Sequence, residues 1–161
     1  MRSTEHDPQA AQVINNLMNM KTSAHNQFQG KVTNIKKGSV NDEIELEVAG
    51  GKKIVAIVTH QSVDGLGLQV GTKAFALINS SSVIIATDDK GAKFSARNHL
   101  KGTISQVKSG AVNSEVIIGF EGGASVAAII TNESCKLLGL ATGMPATAIF
   151  KASSVIIGTQ A

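Results

Sequence analysis

The chain has 161 residues, 42% hydrophobic and 17% charged, with a formal net charge of +3; this composition fits one ordinary or two very small packed domains and excludes a disordered tail. Sixteen glycines against two prolines favour tight turns over long helices, and Cys135, the one cysteine, excludes an intrachain disulfide and a cysteine-based metal cluster. No stretch approaches the roughly 20 apolar residues that span a bilayer, and the opening MRSTEHDPQAAQ has no apolar secretory core, so a cytoplasmic protein is expected.

In chain order, residues 1–21 read as an N-terminal extension, helical or disordered. Gln9 to Met20 places Val13, Leu17 and Met20 on one helical face, with Asp7 and Pro8 as N-cap and first helical residue. Phe28 to Ile35 alternates apolar and polar residues. Glu43 to Val48 (E-I-E-L-E-V) alternates strictly, so Ile44, Leu46 and Val48 face a core. Gly50-Gly51 predicts a hairpin turn and Lys53 to Val58 a further strand. His60 to Leu68 predicts a short helix closed by Gly67 or Gly71, and the strands Lys73–Ile78 and Ser82–Ala86 finish the unit. A polar linker, 88–93, follows.

The pattern then recurs 72 residues later. Ser23-Ala24-His25-Asn26 meets Ser95-Ala96-Arg97-Asn98, Thr59 and Ser62 meet Thr131 and Ser134, and Ser81 to Ile85 meets Ser153 to Ile157. Without a gap, 27 of 66 positions are identical between 22–87 and 94–159, which marks an internal duplication. The expected fold is all-β: two tandem OB-type five-stranded Greek-key barrels, module one (22–87) and module two (94–161), each with one short helix, preceded by a short N-terminal helical segment. The second copy of the alternating strand, Glu115 to Phe120, has lost its polar face. A strand apolar on both faces is buried on both, so packing between modules or chains is expected.

The segment S-A-R-N-x-L-x-G (Ser95 to Gly102), with G-A-V-N-S-E-V (Gly110 to Val116) and F-K-A-S-S-V-I-I-G (Phe150 to Gly158), resembles the molbindin family of molybdate-binding OB modules. The resemblance covers nearly all of 22–159 in two copies. It implies a binding protein for molybdate or tungstate, with no cofactor and no bound metal cation, acting in intracellular molybdenum storage. The same double module is the effector half of molybdate-responsive transcriptional regulators, which is the alternative role. It also implies self-association, as a homotrimer in storage members and a homodimer in regulators, with no membrane and no direct nucleic-acid partner.

An oxyanion site needs fixed cations and several neutral donors. By resemblance the main site falls to Ser95, Arg97, Thr131, Ser134, Lys151 and the backbone of Ala152, with Thr131 opening a short helix. The bland alternatives are solvated cations for Arg97 and Lys151, and a plain N-cap for Thr131. The corresponding residues of module one are Ser23, His25, Thr59, Ser62, Asn79 and Ser80. There both fixed cations are replaced, which predicts a weaker, hybrid or empty site, or one that binds only when His25 is protonated. The family's trimers also carry anion pockets on the threefold axis, lined by the G-[AS]-V-N turn, here Ser39, Val40, Asn41 and Ala111, Val112, Asn113; Asn41 and Asn113 serve equally as turn residues.

Other functions fit less well. No Ser-His-Asp set, metal cluster or P-loop marks an enzyme. Cys135 matches Val63 in the repeat and reads as a core thiol. Nucleic-acid-binding OB folds need stacking aromatics, whereas aromatics are 3% of this chain, and Phe28, Phe94 and Phe150 read as core positions.

Overall fold

The computed structural model describes residues 26–88 and 90–160; the N-terminal extension, with its expected helix, lies outside them. Module one contains β1 (Asn26–Lys36), β2 (Asn41–Val48), β3 (Lys53–Thr59), α1 (His60–Leu66), β4 (Lys73–Ile78) and β5 (Ile84–Ala86). Module two repeats them as β6 (Asn98–Ser109), β7 (Asn113–Gly119), β8 (Ser125–Thr131), α2 (Asn132–Leu138), β9 (Pro145–Phe150) and β10 (Ile156–Gly158). The alternation in β2 does what it predicts: Ile44, Leu46 and Val48 are buried and Glu47 is exposed.

The fifth strands change places. One sheet runs β10-β4-β1-β2-β3 and the other β5-β9-β6-β7-β8, all neighbours antiparallel. Thus Ile156 pairs with Leu77 and Ile84 with Ile149, and each sheet is completed by the other module. The expectation that Ser82–Ala86 finishes its own module is corrected. After β4 a single 3-10 turn, Ser80–Ser82, carries the chain outward instead of reversing it beside β4. The opening S-V-I-I is the same in both copies, but the strands differ at their ends: Gly158 lies against the Phe75 ring, where a Cβ would come within 2.5 Å, whereas Ala86 pairs with Thr147.

The modules meet at further points related by the repeat. The buried Asn98 side chain donates to Val55 O and accepts from Val55 N, both at 2.8 Å. Buried Asn26 does the same to Ala127, at 2.9 and 2.7 Å. The β2–β3 and β7–β8 turns touch: a Cβ on Gly50 would lie 2.1 Å from Glu121 O, and one on Gly122 would lie 2.5 Å from the Gly50 Cα. Both glycines have positive φ, 79° and 91°, so these turns need glycine for conformation and for space.

One core cluster spans both modules and includes Phe28, Phe150, Val63 and Cys135. Phe94 is only half-buried, its ring tilted against His99, so it is not a core residue. In β7 the side chains of Val116 and Ile118 are buried, while Ile117 on the opposite face is only partly covered within the chain.

Candidate functional site

Each short helix is built from local chemistry. Thr59 caps α1: its Oγ1 accepts from Ser62 N at 3.1 Å and donates to Ser62 Oγ at 2.8 Å. Thr131 caps α2 in the same way, with Ser134 N at 3.0 Å and Ser134 Oγ at 2.9 Å. Gly67 and Gly139 close the helices in the left-handed conformation. The N-cap role of both threonines is therefore real, and it leaves the exposed T-x-x-S hydroxyls in pairs at a helix start.

The exchanged strands decide what faces these hydroxyls. The Ala152–Ser154 turn of module two packs on β3 of module one, and the Ser80–Ser82 turn of module one packs on β8 of module two. An open cleft of about 500 Å³ joins Ser62, Ile57 and Leu66 of module one to Ser153 and Ile156 of module two. Lys151 is exposed at the head of its turn, and Ala152 is buried. The Asn98 clamp lays the preceding Ser95–Arg97 segment over module one as well, where Arg97 Nη1 donates to Glu43 Oε2 on β2.

The residues expected to form one main site are thus divided within the chain. Arg97 and the Ala152–Ser154 turn that follows Lys151 lie on module one, on β2 and on the β3 strand that ends at Thr59. Thr131 and Ser134 belong with the turn that holds Asn79 and Ser80. Strand exchange is the physical reason, since it moves each K-A or N-S turn onto the opposite module. Ser23 and His25 lie outside the described residues.

The G-[AS]-V-N turns are tied to the helix starts. Val40 O accepts from His60 N at 2.9 Å, and Val112 O from Asn132 N at 3.0 Å. The Val40 and Val112 side chains are 70% and 71% exposed. Ser39, Asn41, Ala111 and Asn113 are exposed too. Below the first turn, buried Asp42 accepts from Gly38 N at 3.0 Å and from His60 Nδ1 at 2.9 Å. Burial alone would raise this carboxyl's pKa; the Gly38 N–H, His60 and Lys37 outweigh it and hold it below the usual value. In module two Ser114 and Asn132 replace the pair, with a 2.6 Å hydrogen bond.

Three partners escaped the sequence reading: Glu43, Asn26 and Asn98. All three recur 72 residues apart, at Glu115, Asn98 and Asn26. That recurrence was the available signal; what it lacked was the opposite module on which these side chains act.

No group of three or more His, Cys, Asp or Glu suited to a metal ion occurs among the described residues, and none of their helices is long and apolar enough to cross a membrane.

Comparison with known proteins places this geometry in context. The TOBE domain model matches twice, over residues 22–85 and 95–157. The molybdenum transport protein ModE of Herbaspirillum seropedicae is 44% identical over 143 residues, which cover 89% of this chain and 53% of ModE. The chain therefore spans about half the length of that relative. Molybdenum-pterin-binding protein 3 of Clostridium pasteurianum is 46% identical over 66 residues, 41% of this chain and 97% of that protein. A crystal structure of the cytoplasmic molybdate-binding protein ModG with molybdate bound superposes with a TM-score of 0.84 at 41% identity, covering 87% of this chain and 99% of ModG. The chain belongs to the TOBE-domain family, as a tandem of two molbindin-type modules.

Proposed function

We propose that the chain binds molybdate or tungstate as a free oxyanion, at sites that straddle its two modules, and performs no catalysis. The observation that carries this reading is that Arg97 and the Ala152–Ser154 turn of module two pack on β2 and β3 of module one, beside the strand end that leads into the Thr59–Ser62 helix start, in a chain 41% identical to molybdate-bound ModG. Two fixed cations and several hydroxyl or N–H donors suit a tetrahedral dianion. The composite site takes Ser95, Arg97, Lys151 and Ala152 from module two and Thr59 and Ser62 from module one. The mirror site would use Thr131, Ser134, Asn79 and Ser80 with Ser23 and His25, has no fixed cation from these residues, and binds more weakly. The G-[AS]-V-N turns, Ser39–Asn41 and Ala111–Asn113, are a third place for an anion where copies of the chain meet.

The biological role proposed is intracellular molybdenum storage by a self-associated protein, a trimer before a dimer, organised as an extension (1–21), two modules (22–87 and 94–161) and a linker (88–93). The 44% identity to ModE over 53% of its length favours a second reading, the oxyanion-sensing part of a regulator. Titration calorimetry on chain freed of bound oxyanion tests the proposal. Molybdate and tungstate should bind tightly, and sulfate and phosphate weakly; no heat with molybdate would refute it.

A further inference from the structure

A carboxylate of module one already holds the arginine that the proposed ligand needs. Resting on the reading above, we infer that Glu43 is an intramolecular competitor for Arg97. It neutralises the guanidinium while the site is free and yields it to a dianion, so that only anions able to displace a carboxylate are retained.

Four observations support this. The ion pair joins residues of different modules, with Arg97 Nη1 on Glu43 Oε2. It is positioned by the fold, because Asn98, next to Arg97, is locked on Val55 of β3, the strand in which Ile57 pairs with Glu43. Among the outward carboxylates of β2, Glu45 and Glu47 face Lys53 at 3.4 and 3.7 Å, which leaves Glu43 to Arg97. In module two the positions of Glu45 and Glu47 have become Ile117 and Gly119, whereas that of Glu43 remains Glu115. The module-two strand thus lacks two of the three outward carboxylates and has the one at the position that faces the S-x-R segment in module one.

The chemistry follows from charge and geometry. One carboxylate oxygen takes one of the five guanidinium donors. A tetrahedral dianion brings twice the charge and more acceptors, so it can replace the carboxylate, whereas a spherical monoanion such as chloride cannot match it. A dianion bound beside an ionised Glu43 would be repelled, so binding must loosen the pair. The Arg97 and Glu43 side chains are 51% and 29% exposed, so the exchange takes place where ligand has access.

Glu43→Gln keeps the side chain's shape and removes its charge. We would titrate full-length wild type, Glu43→Gln, Arg97→Ala and the double variant, each freed of oxyanion, with molybdate and with sulfate. Glu43→Gln should bind both anions about three- to tenfold tighter, from the lost competing ion pair and the relieved repulsion. That gain should vanish in the Arg97→Ala background, with melting midpoints showing intact folds. If Arg97→Ala weakens binding while Glu43→Gln has no effect or weakens it, the competitor role is overturned and the proposed function stands. A gain confined to molybdate, or one that persists without Arg97, also overturns it. If Arg97→Ala has no effect, the competitor role and the assignment of the site to Arg97 both fall.

Discussion

In the proposed site Arg97 and Lys151 each supply one charge-assisted contact, so replacing either with alanine should weaken molybdate binding by about 1.5–3 kcal/mol. Lys151 is exposed and Arg97 half-exposed, so melting midpoints should stay near wild type; calorimetry and thermal melts check the two halves of this expectation. Asp42 behaves differently, because it is buried and serves the fold. Its pKa is lowered in the native state, so the stabilisation is fully present above the unfolded carboxylate value, near 3.8, and is lost as pH falls below it. The double variant Asp42→Ser, His60→Asn installs the Ser114–Asn132 arrangement of the other module. It should fold and lose less stability in acid than wild type does, as measured by denaturant unfolding at pH 3 and pH 7.

Strand edges explain the two buried asparagines. β3 and β8 lie at the ends of their sheets, where unpaired N–H and C=O groups invite pairing with other chains. Asn98 and Asn26 cap those edges with two bonds each, on Val55 and Ala127. Asn98→Ala leaves both Val55 groups unsatisfied in a partly buried place and should cost about 2–4 kcal/mol of unfolding free energy, measurable by urea denaturation. A loss under 1 kcal/mol would mean that water replaces the clamp. The strands and helices were legible because alternation, glycine caps and threonine N-caps act over a few residues; β4 and α1 begin where the pattern predicts. Long-range pairing was not. S-S-V-I-I at 81–85 and at 153–157 is the same string, so nothing in it says which sheet it joins. The partition of the candidate residues inherits that ambiguity: Thr131 and Thr59 are equivalent in sequence, and only the crossing of the chain decides which module the turn after Lys151 packs on. Glu43 stayed hidden because its partner lies 54 residues away in the other module.

At the scale of the molecule, the exchange makes module one depend on the end of module two. A chain ending at Phe150 lacks β10, which pairs with β4 at Leu77, Ala76 and Phe75. Hydrogen exchange should then show lost protection within 75–77, far from the deletion in sequence; protection lost only within module two would contradict the pairing. Intact chain should unfold in one transition by calorimetry, since neither sheet can be completed without the other. The exchange also has a consequence for how such a protein can change. Two identical single modules that swapped strands would be bound by symmetry, every substitution appearing at both sites at once. Joining them through 88–93 breaks that constraint while the swap keeps the halves together. The two sites are then free to diverge within one polypeptide. Arg97 and Lys151 can persist in one copy while His25 and Asn79 stand at the same positions of the other, so that a single gene carries two unequal sets of side chains.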